Sequence, residues 1–198
     1  MIATETRTRF EDARRAMIDS QLRTSGVNEP FVLARMGTVP REDFVPEGQR
    51  AAAYADRAVR LPGGGALPAP VFHGMLLAEA RPTSDDRVLV VDGGSGYLPA
   101  LLEPMVAALA VVSPEEAVAG RIKSSPSLVL IDGAVEHLPD PLVRKLAEGT
   151  RVVTGLVERG VTRLAVGRKA GGALGLVALA ETGIPRLAAF DREAGWSF

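Results

Sequence analysis

The stretch 87–103 most constrains how this chain can fold. Four branched apolar residues, 88–91, lead into a turn that contains Gly93, Gly94 and Gly96, and a helix is expected to start directly after it. A strand, a glycine turn and a helix in this order are typical of α/β sheets, and the glycines allow positive φ and a close approach of backbone to a ligand. The same turn can serve only to pack a helix tightly onto a sheet, so a ligand-binding turn and a packing turn both stay open.

Length, charge and cysteine content limit the kinds of protein this chain can be. Its 198 residues are 46% hydrophobic and 24% charged, which suits one domain with one core better than two. The net charge of -1, with basic residues spread along the chain, gives no electrostatic signature of a nucleic-acid or membrane-surface partner. The absence of cysteine excludes disulfides and thiolate catalysis. A charged N-terminus and the lack of a long apolar run predict neither a signal peptide nor a membrane span, so we expect a cytoplasmic protein.

The first part of the chain is predicted to be mainly helical. Apolar residues at helical spacing in 10–22 predict an amphipathic helix that Gly26 ends, and Asn28 is expected to cap a second helix. Prolines and glycines in 62–70 predict a loop that joins no strand ladder. A further helix is expected over 71–80.

The second part of the chain is rich in strands. Three β-rich segments, 150–157, 161–168 and 174–180, are joined by short connections that contain glycine, so we expect them to pair antiparallel. The prediction is therefore a single domain with a helical N-terminal cap and loop (1–80) and an α/β sheet core (81–198).

Several motifs resemble those of one enzyme family, and the most specific lie in the N-terminal third. The similar stretches are M-I-D-S-Q-L (17–22), V-L-A-R-M (32–36), V-P-R-E-D-F-V-P (39–46), A-Y-A-D-R (53–57), V-L-V-V-D-G-G-S-G-Y (88–97), I-D-G-A-V-E-H-L-P (131–139) and F-D-R-E-A-G-W-S-F (190–198). Together they resemble the protein-L-isoaspartate O-methyltransferases, which use S-adenosylmethionine to methylate the carboxylate of isoaspartyl residues in damaged proteins.

The resemblance implies a fold, a cofactor and a set of site residues. The fold would be a doubly wound, mostly parallel, Rossmann-like methyltransferase sheet with antiparallel C-terminal strands and an N-terminal helical cap. The positions that would bind S-adenosylmethionine are Asp92, Gly94, Ser95, Gly96 and Glu115. Asp56 and His137 would contact a protein or peptide substrate that carries isoaspartyl residues, and neither nucleic acid nor a membrane is implied.

Three departures from the family pattern bear on activity. Pro68 stands where the family has a serine close to the methyl-accepting carboxylate, and proline offers neither a hydroxyl nor a backbone N–H. Asp92 replaces the first glycine of the turn and would place a carboxylate against the amino-acid end of the cofactor. Only eleven residues, 116–126, follow Glu115 before the next strand, which leaves room for one short helix over 116–123. The family's third strand and adenine loop are therefore predicted to be missing, and the strand before Glu115 is predicted to be the sheet edge.

Asp132 and the two histidines are further candidates. Asp132, at the carboxyl end of the fourth strand, is either a cofactor or acceptor contact, and hence a candidate catalytic residue, or a cap of the turn before Gly133. His137 is either a substrate contact or a surface or hydrogen-bonded residue, whereas His73, on an apolar helix, is expected to be a packing residue with its polar atoms satisfied. Two histidines alone do not make a metal site, so none is predicted.

Three functions stay open from the sequence alone. The chain is an isoaspartyl carboxyl methyltransferase, a methyltransferase or ligand-binding protein with a different acceptor, or a non-catalytic descendant of the fold that binds a partner. The departures favour weak or absent methyl transfer and an affinity for S-adenosylhomocysteine that is lower by about 100-fold or more. The sequence does not determine the acceptor, the partner or the oligomeric state.

Overall fold

The structure, a computed structural model, describes residues 2–192, with side chains from residue 8 onward. The helices are α1 (Ile2–Met17), α2 (Pro30–Thr38), α3 (Pro70–Ala80), α4 (Tyr97–Leu102), α5 (Pro114–Val118) and α6 (Asp140–Lys145). The strands are β1 (Val59–Arg60), β2 (Ala66–Leu67), β3 (Arg87–Val91), β4 (Ala108–Val112), β5 (Leu128–Val135), β6 (Arg151–Glu158), β7 (Val161–Ala170) and β8 (Ala173–Glu181). A π-helical segment, Ile18–Leu22, continues α1, and most of the closing motif at 190–198, including Trp196, lies outside the described residues.

Six strands form one sheet in the order β4-β3-β5-β6-β7-β8. The pairs among β4, β3, β5 and β6 are parallel, whereas β7 and β8 pair antiparallel. Within residues 2–192 no strand lies outside β4, so the prediction that this strand forms the sheet edge is confirmed. The predicted antiparallel C-terminal strands are confirmed as well.

Helices cover both faces of the sheet, as a doubly wound fold requires. Along β3, Val88 and Val90 join the core beneath α3 and α4, while Leu89 and Val91 join the core on the opposite face beneath α5 and α6. All four side chains are buried, which is typical of a parallel strand with helices on both sides. The predicted Rossmann-like α/β class is therefore confirmed, and it places the carboxyl ends of β3, β4 and β5 side by side.

Two local predictions in the N-terminal part are wrong. Glu29 rather than Asn28 is the N-cap residue of α2, because Pro30 occupies the first helical position and holds the residue before it in extended geometry. Ala66 and Leu67 form β2 and pair with β1 instead of lying in a loop without a ladder. Positive φ at the glycines of 62–64 turns the chain back far enough for these two strands to meet.

The connection from β4 to β5 contains less helix than predicted. A capping box fixes the start of α5 at Ser113, whose Oγ accepts a hydrogen bond from the backbone N of Glu116 while the Glu116 carboxylate accepts one from the Ser113 N. The helix ends at Val118, shortly before Gly120 takes a φ of 66°, so it does not extend over 116–123. No strand follows before β5, which agrees with the predicted loss of the family's third strand.

Replacing Ser113 by alanine is expected to lower the free energy of unfolding by about 1 kcal/mol, because α5 loses one half of its capping box. Urea unfolding followed by circular dichroism measures this difference. The matched control is Ser125→Ala at an exposed position of the same connection, which should change stability by less than about 0.5 kcal/mol. Equal effects of the two substitutions would contradict a stabilising role for the cap.

None of the helices described between residues 2 and 192 is long and apolar enough to cross a membrane.

Candidate functional site

The glycine turn lies at the carboxyl end of the sheet, between β3 and α4. Gly94 and Gly96 have φ values of 101° and 70°, a region that residues with a Cβ adopt only with strain. Gly93 is needed for a different reason, since a Cβ there would lie 2.7 Å from the carbonyl oxygen of Asp132. The backbone N of Ala66 donates to the Gly93 carbonyl at 3.2 Å, so the loop that carries β2 packs against this turn.

A cleft of about 1420 Å³ opens beside the glycine turn. Its walls come from the 56–66 segment, the turn itself, the end of β4 with the start of α5, and the 182–189 segment. The predicted site residues that line this cleft are Asp56, Asp92, Gly94, Glu115 and Asp132. The space is sufficient for a ligand of nucleoside size, and it lies where open α/β sheets bind ligands.

Asp92 bends back onto the glycine turn. Its carboxylate accepts hydrogen bonds from the backbone N of Gly94 at 3.2 Å and from the backbone N of Gly96 at 3.1 Å. Its own backbone N donates to the Val112 carbonyl at 3.0 Å, which holds the residue at the junction of β3 and β4. Burial, and next the neighbouring Asp132 carboxylate, raise the pKa of Asp92 above its usual range.

Asp132 and His73 form a buried hydrogen-bonded pair behind the cleft. Asp132 lies within β5, and its Oδ1 is 2.8 Å from His73 Nε2, with both side chains fully buried. The hydroxyl of Ser95 donates to the other carboxylate oxygen, Oδ2, at 3.3 Å. β5 continues through Gly133, so Asp132 does not cap a turn there. The expectation that His73 has its polar atoms satisfied is confirmed.

Arg41 extends this pair into a longer buried chain. Its Nη1 donates to His73 Nδ1 at 3.1 Å, and its Nη2 and Nε donate to the carbonyl oxygens of Pro68 and Ala53 at 2.6 and 2.8 Å. The guanidinium carbon also lies 4.6 Å from the centroid of the Tyr97 ring. One buried side chain thus links the N-terminal part, the loop before α3 and, through His73, strand β5 at Asp132.

The hydrogen-bond partners of His73 define its charge and tautomer. An arginine can only donate, so Nδ1 of His73 must accept and its ring proton lies on Nε2, directed at Asp132. Burial lowers the pKa of His73 below its usual range, and the Arg41 guanidinium acts in the same direction against the attraction of Asp132. His73 is therefore a neutral bridge between a buried cation and a buried carboxylate.

The remaining predicted residues occupy different surroundings. Pro68 is buried, does not line the cleft, and has its carbonyl engaged by Arg41. Glu115 and Asp56 are both exposed and both line the cleft. His137 lies instead in a second cavity of about 530 Å³, and its Nδ1 is buried without a hydrogen-bond partner among the described residues. The functional roles of all four stay predictions.

The sequence did not predict the buried hydrogen-bonded chain that runs from Arg41 through His73 to Asp132. Arg41 belongs to the V-P-R-E-D-F-V-P motif, yet nothing in that motif indicates a partner 32 residues away. The neighbouring residues give no signal of burial either, since Glu42 and Asp43 follow Arg41 and arginine is rarely fully buried. Among the described residues, no group of three or more metal-ligating side chains is placed to hold a metal ion.

Comparison with known proteins gives the chain a clear set of relatives. The sequence model of the family described as protein-L-isoaspartate(D-aspartate) O-methyltransferase (PCMT) matches residues 12–128. A protein-L-isoaspartate O-methyltransferase of Koribacter versatilis is 31% identical over 199 residues, covering 88% of this chain and 90% of the relative. One of Methanoregula boonei is 27% identical over 180 residues, covering 78% of this chain and 83% of the relative.

Solved structures show the same fold at low sequence identity. A protein-L-isoaspartate O-methyltransferase of Plasmodium falciparum, in complex with S-adenosyl-L-homocysteine, superposes with a TM-score of 0.69 at 16% identity. The superposition covers 91% of this chain and 98% of that one. A second protein-L-isoaspartate O-methyltransferase gives a TM-score of 0.69 over 88% of this chain and 66% of its own. At such identity the likeness establishes the architecture, and the cleft residues must be judged on their own geometry.

Proposed function

This chain belongs to the protein-L-isoaspartate O-methyltransferase family, and from that premise we propose that it is a diverged member with little or no isoaspartyl methyl transfer. The observation that carries the proposal is the position of the Asp92 carboxylate, which takes the backbone donors of Gly94 and Gly96 for itself. In a glycine turn of this kind those donors would otherwise face an anionic group of a ligand.

S-adenosylmethionine, the cofactor that the family implies, carries a carboxylate, an ammonium group and a ribose. The residues at the glycine turn do not fit its carboxylate, because the amides of Gly94 and Gly96 are already bonded and Asp92 adds a like charge. Glu115 is exposed on the cleft wall and fits a pair of ribose hydroxyls. The proposal therefore keeps an S-adenosyl-type ligand in the cleft, held more weakly than an unobstructed turn would hold it.

Pro68 supports the same conclusion on the acceptor side. It supplies no hydroxyl, and its carbonyl is bonded to Arg41 and faces the interior. An isoaspartyl carboxylate in the cleft would find no donor at this position, and positioning of the acceptor oxygen is most of what a methyltransferase contributes to rate. We assign Asp56 and Glu115 to ligand contacts and give His137, outside the cleft, no catalytic role in this proposal.

The purified protein is expected to transfer no radiolabelled methyl group from S-adenosylmethionine to an isoaspartyl peptide above background. An active member of the family, assayed in parallel, serves as the positive control for the peptide and the cofactor. Robust transfer that disappears in Gly94→Val, which would add a side chain at a φ of 101°, would contradict the proposal.

Isothermal titration with S-adenosylhomocysteine is expected to give a dissociation constant near the millimolar range. The reason is the loss of two turn donors and of the apolar walls of the adenine loop, together worth about 100-fold or more in affinity. A dissociation constant of about 10 μM or lower would show that the chain has rebuilt the pocket.

A second candidate is a protein that binds a different small ligand in the same place. The cleft of about 1420 Å³ favours this over a purely partner-binding role, because it is large enough for a small ligand and lies where open α/β sheets bind one. Ligand density in a crystal soaked with adenosyl compounds would distinguish a small-ligand-binding role from a purely partner-binding role.

A further inference from the structure

The Asp92 carboxylate is bonded as a ligand carboxylate would be. Both of its oxygens lie 3.1 to 3.2 Å from the backbone N of Gly96, and Oδ2 is also 3.2 Å from the backbone N of Gly94. These two amides are brought to one side of the turn by the positive φ of their own glycines. The chain thus fills its own anion-binding turn with a side chain.

The charges around the turn also disfavour a second carboxylate in the position that Asp92 occupies. Of the described residues that line the cleft, those with a carboxylate are Asp56, Asp92, Glu115, Glu116 and Asp132, and those with a guanidinium group are Arg57, Arg60 and Arg186. The carboxylate of Asp132 is itself buried behind the cleft. Arg186 is already paired with Glu136 and Asp191. Asp92 and Asp132 directly follow Val91 and Ile131, the last paired residues of β3 and β5, so a further carboxylate placed there would meet two like charges. It would also find the backbone N–H groups of Gly94 and Gly96 already bonded to Asp92. A cationic group in the same place would be attracted to both carboxylates.

We propose that Asp92 is a specificity-determining residue, which makes the cleft prefer nucleoside thioethers that lack an α-carboxylate and keep an amino group. The inference rests on that part of the proposed function which places an S-adenosyl-type ligand in the cleft. The preferred ligand class is a decarboxylated S-adenosyl compound, whose aminopropyl chain offers an ammonium group to Asp92. The buried Asp132 carboxylate adds electrostatic attraction from behind the cleft. An S-adenosyl compound with its full amino-acid end has to displace the Asp92 carboxylate before it gains the same amides.

The test compares two ligands that differ by the carboxylate alone. S-adenosylhomocysteine and its decarboxylated form, an aminopropyl thioether of adenosine, are titrated calorimetrically into the wild-type protein, Asp92→Gly and Asp92→Asn. The wild type is expected to bind the decarboxylated ligand at least about 10-fold more tightly. Asp92→Gly frees both turn amides and removes the like charge, so it should shift the ratio of the two affinities at least about 10-fold towards S-adenosylhomocysteine. Asp92→Asn keeps the size of the side chain and should give an intermediate ratio.

The outcomes separate this inference from the proposed function. Equal binding of the two ligands to the wild type, tighter binding of S-adenosylhomocysteine, or a ratio unchanged in both variants overturns the inference. Failure of both ligands to bind the wild type and both variants overturns it too, yet leaves the expected absence of methyl transfer intact. Conversely, methyl transfer to an isoaspartyl peptide together with the predicted ligand preference would overturn the proposed function and leave the role of Asp92 in place.

Circular dichroism of each variant checks that the fold is kept, and Asp92→Asn supplies the comparison if Asp92→Gly does not fold.

Discussion

Replacing Arg41 by methionine is expected to lower the free energy of unfolding by about 3 to 5 kcal/mol. Methionine has a similar length but no donors, so the buried carbonyl oxygens of Ala53 and Pro68 and the Nδ1 of His73 would all lose their partner. The substitution also removes the cation that balances Asp132 across the imidazole ring. Chemical denaturation followed by circular dichroism measures the change.

Arg57→Met is the matched control for this prediction. Arg57 lies in the neighbouring A-Y-A-D-R motif and is exposed, so its replacement should change the free energy of unfolding by less than about 0.5 kcal/mol. A loss below about 1 kcal/mol for Arg41→Met would mean that the three hydrogen bonds contribute little, and that the loop before α3 is held by its apolar contacts alone.

The stability of the wild-type protein is expected to fall more steeply below about pH 6.5 than that of His73→Gln. Burial lowers the pKa of His73 in the folded protein, so below its unfolded value of about 6.5 the unfolded state binds the additional proton. The free energy of unfolding then decreases by up to about 1.4 kcal/mol per pH unit, and the loss ends only at the lower pKa of the folded state. The charged groups that act on the imidazole are Asp132 and Arg41, which bond to it, and Asp92, which acts by its charge.

Glutamine at position 73 can still donate to Asp132 and accept from Arg41, but it does not titrate. Denaturation midpoints measured at half-unit steps between about pH 5 and 7.5 give the two slopes. His137→Gln, at the only other histidine of the chain, tests whether the effect belongs to position 73. Parallel curves for the wild type and His73→Gln would show that His73 takes up its proton in the folded state as easily as in the unfolded one.

The predictions for Arg41 and His73 concern the buried residues that hold the cleft in place. The comparison of ligands in the Asp92 variants concerns which ligand the cleft binds. The buried chain from Arg41 to Asp132 joins the N-terminal part to β5 and holds the Asp132 carboxylate behind the cleft. Its side chains are fully buried, so its contribution is to fix Asp132 and the loop at Pro68. A less stable Arg41 variant should therefore also bind cleft ligands more weakly.

Patterns that depend on neighbouring residues were predicted from the sequence alone. The continuous apolar run in β3, the glycines after it and the short connections among β6, β7 and β8 determine an α/β sheet with antiparallel strands at one end. The length of the segment after Glu115 determines the edge position of β4, because eleven residues cannot hold a helix, a strand and a second helix. These features depend only on residues close together in the sequence, so they can be predicted without knowing which distant residues they contact.

The exact ends of helices and the short strand β2 depend on competing local interactions that the sequence pattern does not reveal. Asn28 and Glu29 can each precede a helix, and Pro30 decided between them through its fixed φ. Ser113 started α5 earlier than expected because its hydroxyl and the Glu116 carboxylate cap each other. Ala66 and Leu67 became a strand only because the 62–64 turn brought β1 alongside them.

The chemistry of the cleft was decided by the tertiary structure. Arg41 and His73 are 32 residues apart, and His73 and Asp132 are 59 apart, so no periodicity or motif spacing connects them. The sequence identified Asp92 as an added carboxylate, but only the folded turn shows that it bonds Gly94 and Gly96 rather than projecting freely into the cleft. Hydrogen bonds of this kind depend on the relative positions of elements packed from distant parts of the chain, and those positions are determined by the burial of the whole core rather than by any local stretch.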